Sequence, residues 1–560
     1  MLFPTVDFAV YFVIVFTGSW LLRPYARPWR WFILLASCVF YLDPFNTQKA
    51  FLVPSALGLS GAMAVLGWLL TGAIAPDDGD SGNFHGAWWK AAGPVALLVT
   101  FYVVGNVWLF QNAPEKSEQS WVWLFLLLGI AFLNQGWAKA AYATMGPGRA
   151  RTPASKWFVR LAVANDLAVL GVFKYYDWFR SSFPLAGFLP EWFVGYGLPI
   201  AISFFTFQAI SYVVDVGRGE IRPVKLLDFC VYLTFFAHLV AGPIVRVGEF
   251  VPQLSQRSDP RFVQSGEAFM LIFRGMFKKV VISSWLAANL VDPVFGVSGG
   301  HVPGEFAKVV VLFAILGYAI QIYADFSGYT DIAIGVALLL GIRFPQNFDA
   351  PYRSLSIQEF WRRWHMTLSR WLRDYLYIPL GGNRRGVKRT YVNLFLTMFL
   401  GGLWHGANWT FLVWGSIHGG ALGVERAIKA KWSRRERPLG VPAPVRGVLK
   451  WLLTFSIVCV GWVFFRATSF GDALNLLGQL VTSSVPMPTD EKTVGVLRLG
   501  ALIIAGSIAS QFVPQRIPER ISVAFTRLAP ALQILTLFAA LVLVDALGPE
   551  GIAPFIYFQF

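Results

Sequence analysis

VVVLFAILGYAIQIYADFSGYTDIAIGVALLLGI, Val309 to Ile342, sets two apolar runs, near 308–324 and 330–343, around a short segment carrying Asp325 and Asp331. Each run approaches the roughly 20 residues a helix needs to cross a bilayer, and neither shows the strict alternation of a half-buried strand. Similar runs recur near 6–22, 50–74, 91–110, 121–141, 157–180, 193–215, 227–247, 391–400, 408–424, 449–466, 495–514 and 528–548. Shorter or amphipathic pieces near 29–43 and 268–290 read as tilted, re-entrant or interfacial helices. In lipid only helices and closed barrels satisfy every backbone group, and these runs are too long and too uniform for barrel strands. The expectation is an all-α polytopic membrane protein with about 11 to 14 transmembrane or re-entrant helices.

Composition closes off the soluble alternative. Of 560 residues, 56% are hydrophobic and only 14% charged, against about 25% charged in soluble domains. The excess of 47 Lys and Arg over 31 Asp and Glu, a net +16, fits cytoplasmic loops facing anionic headgroups better than nucleic acid. Basic clusters at Arg23–Arg30, Arg149–Lys156, Arg218–Lys225 and Arg426–Arg437 are assigned to the cytoplasm, which puts the N-terminus outside. Cys38, Cys230 and Cys459 stand far apart in apolar surroundings with no CxxC spacing, as small buried hydrophobes do.

Ionisable residues at membrane depth are expensive, so they carry the functional information. The densest cluster is FWRRWHMTLSRWLRDYLYIPLGGNRRG, Phe360 to Gly386. At about 100° per residue, Trp361, Trp364, His365, Leu368, Trp371, Leu372 and Tyr375 fall on one stripe, with Arg362, Arg363, Ser369, Arg370, Arg373 and Asp374 opposite. That pattern predicts one amphipathic helix of roughly 25 Å, ended by Pro379 and Gly381-Gly382. His365 sits where a merely amphipathic helix would place another Leu. A second cluster, LFLTMFLGGLWHGANWTFLVWGSIHGG from Leu394 to Gly420, embeds His405 in an apolar run beside Gly401, Gly402 and Gly406, which let backbones or a ligand approach. His418, further along, reads as structural. Asp325 is expected to pair with an arginine of the 362–373 face. His238 and Arg246, around the Gly242-Pro243 break, read as structural or as lining a substrate tunnel.

The six histidines include no metal-ligand pair, so no metal is expected. Phosphate-loop, nucleophile-elbow and paired-carboxylate patterns are also missing. What remains is a histidine general base in an occluded cavity, because imidazole alone offers an uncharged base near neutral pH without perturbation. The residues alone leave His365 and His405 as candidates of comparable weight.

Five segments in order, PIAISFFTFQAISYVVD at 199–215, HLVAGPIVR at 238–246, DFSGYTDIAIG at 325–335, FWRRWHMTLSRWLRDYLYIPLGGNR at 360–384 and LFLTMFLGGLWHGAN at 394–408, resemble the membrane-bound O-acyltransferase (MBOAT) family, in particular its bacterial polysaccharide-acetylating branch. The resemblance implies helices around a central tunnel, with a core at 171–470. N-terminal helices at 1–170, with an atypical insertion near 75–156, would precede it, and C-terminal transmembrane helices at 471–560 would follow. It ranks His405 as the catalytic residue and His365 as the second functional histidine. Donor-binding residues would be Arg362, Arg363, Arg370, Arg373, Trp364, Trp404 and Asn408, supported by Asp325, His238, Arg246 and His418.

The implied activity is transfer of an acyl group, acetyl above all, from a cytosolic thioester such as acetyl-CoA, with no bound cofactor. An extracytoplasmic polysaccharide would accept it, directly or through a secreted acetyltransferase partner. The setting would be the bilayer of a bacterial plasma (inner) membrane. D-alanyl or fatty-acyl transfer, and a transporter or flippase using buried His and Asp as proton relays, are the competing readings.

Overall fold

The computed structural model describes residues 3, 5–42, 120–183, 201–239, 242–256, 263–296, 304–432, 442–514, 516–549 and 556. The expected runs at 50–74 and 91–110 and most of the expected insertion at 75–156 lie outside them. Among the described residues there is no β-strand, and the apolar runs fold mainly as helices, the run at 227–247 breaking after Thr234 and leaving the helix again by Gly242. Four helices among the described residues are long and apolar enough to span a bilayer: Lys308–Leu339, Ala443–Arg466, Glu491–Ser510 and Pro530–Leu547. The chain is an all-α, multi-pass membrane protein.

Packing divides it into two compact units, one of residues 1–263 with 337–344 and one of 264–336 with 345–560. The first holds α1 (Val6–Leu22), α2 (Ala26–Leu42), α3 (Ser120–Ala143), α4 (Pro153–Ser182), α5 (Ile202–Gly217), α6 (Leu226–Thr234) and α7 (Val247–Ser255). Polar side chains that would be costly in lipid find partners here: Trp29 donates to Ser19 at 2.9 Å, and Asn134 of α3 to Asp166 of α4 at 2.8 Å. Thr152 caps α4 by accepting from the Ser155 amide, with Pro153 at the first helical position, where its missing N–H costs nothing.

The second unit begins with α8 (Ser265–Met276), which runs into π-helical turns at Phe277–Ser283 and Ala287–Val291. Then come α9 (Lys308–Leu339), α10 (Ile357–Arg363), α11 (Met366–Leu372), α12 (Val387–His405), α13 (Trp409–Trp432) and α14 (Ala443–Arg466). It ends with α15 (Phe470–Thr482), α16 (Glu491–Ser510), α17 (Arg516–Thr526) and α18 (Pro530–Leu547).

Two expectations need correcting. The runs at 308–324 and 330–343 are one helix, α9, because its interior acids are neutralised by basic side chains from the end of α8 and the π-helical turn that follows it. Asp325 pairs with Lys279, both nearly inaccessible, and also accepts from the Ile556 amide at 2.8 Å. Asp331 takes Arg274 at 2.7 Å and Lys278 at 2.8 Å. Asp325 therefore meets a lysine, and not an arginine of the 362–373 face.

The second correction concerns the single amphipathic helix expected from Phe360 up to Pro379. It is three pieces: α10, α11 and a π-helical turn at Arg373–Tyr377, with the first break at His365. The expected apolar stripe still faces inward, since Trp361, Trp364, Leu368, Trp371 and Leu372 are all buried.

The glycines around His405 serve helix packing. A side chain on Gly402 would overlap the Phe411 carbonyl, and one on Gly415 the Met398 carbonyl, so α12 and α13 meet backbone to backbone. A side chain on Gly406 would strike the Phe411 ring.

Candidate active site

His365 stands in the break between α10 and α11 with φ 42° and ψ 56°, the left-handed region. A residue with a Cβ pays about 1–2 kcal/mol there, so its neighbours must hold it. Trp364 closes α10 with its amide on the Phe360 carbonyl at 2.8 Å, and Met366 opens α11 by donating to the Asn347 carbonyl at 2.9 Å. The Asn347 side-chain oxygen then gathers the Thr367 amide at 3.1 Å, the Thr367 hydroxyl at 2.8 Å and His365 Nδ1 at 3.1 Å.

A backbone amide can only donate, which fixes the oxygen of Asn347 at that position. His365 Nδ1 must then carry the proton, leaving the lone pair on Nε2. The ring is completely buried, edge-on to Phe326 at 4.7 Å and near-parallel to Phe348 at 6.4 Å, and Nε2 has no partner among the described residues. In this tautomer His365 is an acceptor at its open nitrogen and has no proton there with which to polarise a carbonyl.

His405 is the last residue of α12 and is 6% exposed. Three rings wall it edge-on: Trp404 at 4.9 Å, Trp414 at 5.0 Å and Phe465 at 5.2 Å. The chain turns directly after it, stapled by Asn408, which accepts from the Thr410 amide and donates to the Thr468 carbonyl, each at 3.0 Å. The two histidines belong to one aromatic cluster, joined by way of Phe348, Trp364, Trp462 and Trp414.

Beside this cluster lies a cleft of about 550 Å³. Arg362, Arg370, Arg373, Arg426 and Lys429 line it together with Glu425, and its apolar floor includes Trp361, Met366, Leu372 and Met398. Cations over an apolar floor suit a ligand with phosphates at one end and a less polar arm at the other.

Of the residues expected to bind the donor, Arg362, Arg370 and Arg373 face this cleft. Arg363 does not, because Asp349 at 2.6 Å and Glu359 at 3.0 Å hold it. Trp364 is stacked within the core on Phe360 and packed against Trp462. Trp404 lies against His405, and both ends of the Asn408 amide are committed. These four shape the surroundings and do not line the cleft.

His418 is completely buried in α13, and neither ring nitrogen has a partner among the described residues. An unmatched buried polar group costs about 1–3 kcal/mol. His238, in the first unit, is boxed by Phe235, Phe250 and Phe344 at 5.8, 5.8 and 5.6 Å, and its ring nitrogens too have no partner among the described residues. Arg246, also in the first unit, precedes α7 and donates its backbone N–H to Glu249 at 3.5 Å.

Asn347 and Lys279 were missed from sequence. Nothing in NFDAPYR marks Asn347 as the anchor of a histidine 18 residues later. Lys279 had a usable signal, since a lysine in a mostly apolar stretch needs an acid somewhere.

A profile of the membrane-bound O-acyltransferase family matches residues 121–462. The probable alginate O-acetylase of Pseudomonas putida is 38% identical over 447 residues, 74% of this chain and 87% of that protein. The peptidoglycan O-acetyltransferase of Helicobacter pylori is 39% identical over 352 residues, 58% of this chain and 64% of that protein. More distantly, the teichoic acid D-alanyltransferase of Bacillus subtilis is 27% identical over 287 residues, 48% and 69% of the two chains.

Proposed function

The chain belongs to the membrane-bound O-acyltransferase family, and from that premise we propose that it moves acetyl groups from cytosolic acetyl-CoA to an extracytoplasmic polysaccharide. The observation that carries this reading is the cationic cleft with an apolar floor, whose wall residue Trp361 packs on Trp414, which in turn touches His405. The guanidinium groups of Arg362, Arg370 and Arg373 would hold the donor's phosphates while its thioester reaches inward.

His405 takes the proton of the acceptor hydroxyl as the oxygen attacks the thioester carbonyl. The tetrahedral intermediate then expels the thiolate, and the imidazolium returns the proton to sulfur, leaving ester, free thiol and neutral His405. His365 orients the reacting groups by accepting a hydrogen bond at Nε2. A buried base reached from two sides lets a cytosolic donor and an external acceptor meet without either crossing. The setting is the plasma membrane of a bacterium, and the acetyl group passes to the polymer directly or through a secreted acetyltransferase.

The test is acetyl transfer from labelled acetyl-CoA by the purified protein in proteoliposomes, with de-acetylated alginate as the acceptor probe. His405→Ala should lower the rate by about 10²- to 10⁴-fold in a normally inserted protein. Transfer at the parental rate by that variant, or no use of acetyl-CoA by the parent, overturns the proposal. Use of a D-alanyl or long-chain acyl thioester in place of acetyl-CoA would move the chain to another branch of the family.

A further inference from the structure

The reaction as written leaves His418 idle, yet the fold makes room for it. Its ring lies parallel to Phe360 at 6.1 Å and edge-on to Trp361 at 5.2 Å and Trp414 at 5.0 Å. On the side of α14 the facing residue is Gly461, where a Cβ would come 2.9 Å from His418 Nε2. A phenylalanine would suit such a box as packing. Instead an imidazole is present with both nitrogens unmatched, and the indole N–H groups of Trp361 and Trp414 are also without partners among the described residues. Buried polar atoms left open together mark a place where a ligand or water completes the set.

Position says which ligand. Trp361 is wall to the cleft, Trp414 is wall to His405, and His418 touches both tryptophans. We infer that His418 with the indole N–H groups of Trp361 and Trp414 forms a binding site for the amide-bearing pantetheine arm of the donor. This rests on the proposed reading that the donor is a coenzyme A thioester. That arm joins the phosphates to the sulfur, and each of its amides brings one acceptor and one donor. The two indoles supply donors only, while neutral imidazole supplies one donor and one acceptor, so the group can satisfy both carbonyls and one amide N–H. The surrounding rings suit the arm's methylene and methyl groups.

The experiment uses the full chain in proteoliposomes and measures KM and kcat for acetyl-CoA. It also measures inhibition by coenzyme A and by adenosine 3′,5′-bisphosphate, which keeps phosphates but lacks the arm. His418→Phe should raise KM for acetyl-CoA and the inhibition constant of coenzyme A by about tenfold, the loss of one buried hydrogen bond. It should leave the bisphosphate constant and kcat nearly unchanged, without lowering the thermal unfolding midpoint, and His418→Gln should restore part of the affinity. Should His418→Phe fail to insert, Trp361→Phe keeps an aromatic ring in place, removes the N–H and must show the same selective loss. Unchanged coenzyme A binding in the folded variant, or a fall confined to kcat, overturns the inference. If the parent protein itself ignores acetyl-CoA, or His405→Ala remains active, it is the proposed function that fails.

Discussion

Asn347→Leu is the sharpest probe of the site, because one side-chain oxygen holds the tautomer of His365, the start of α11 and a left-handed backbone at once. Leucine has nearly the same size and no acceptor. It strips the Thr367 amide, the Thr367 hydroxyl and His365 Nδ1 of their shared partner. The Nδ1 bond is what pins the lone pair to Nε2. One hydrogen bond in a dry site is worth about 1.5–3 kcal/mol when its donor is left bare, and each 1.36 kcal/mol is a factor of ten. Acetyl transfer should therefore fall by roughly 10- to 100-fold. Thr367→Val serves as the control: it removes the hydroxyl alone, keeps the Nδ1 tether, and should cost less than about threefold. Asn347→Asp keeps an acceptor for all three donors and should fall between them. The assay is initial rate from labelled acetyl-CoA at matched protein insertion, with thermal unfolding in detergent as the check on folding. Parental rates in a well-folded Asn347→Leu protein, or equal losses in the leucine and Thr367→Val variants, would refute the reasoning.

Other expectations follow from the same geometry. His365→Asn and His365→Val should both lose activity, but asparagine tolerates the left-handed region and should be the more stable by about 1–2 kcal/mol, read as the difference in unfolding midpoint. Lys279→Met strands the buried Asp325 carboxylate and should destabilise the protein by about 3–5 kcal/mol, whereas adding Asp325→Leu should recover most of it; folded yield after membrane extraction reports both. Reversing charge at the cleft with Arg370→Glu and Arg426→Glu together should raise KM for acetyl-CoA about tenfold or more and flatten its dependence on salt, with a smaller change in kcat.

The architecture was legible because lipid leaves a chain little choice: once the apolar runs are seen, helices follow. What hydropathy could not see was compensation at a distance. Asp325 and Asp331 looked like a gap between two spans because Lys279, Lys278 and Arg274, which neutralise them, lie some 50 residues upstream. The arginine stripe of 362–373 was visible, but which members border the cleft was not: Asp349 and Glu359 hold Arg363, while Arg426 and Lys429 join from α13. His365 and His405 were conspicuous as polar residues in apolar company. The break at His365 was not, since helical periodicity continues through it and only the Asn347 oxygen shows why the chain turns.

That break sets two short helices against one cleft. Trp361 and Arg362 on one arm and Met366, Ser369, Arg370 and Arg373 on the other all border the same cleft, and the pivot between the arms is the histidine itself. Anything that enters the cleft would touch both arms at once, on either side of a histidine whose ring is held by Asn347.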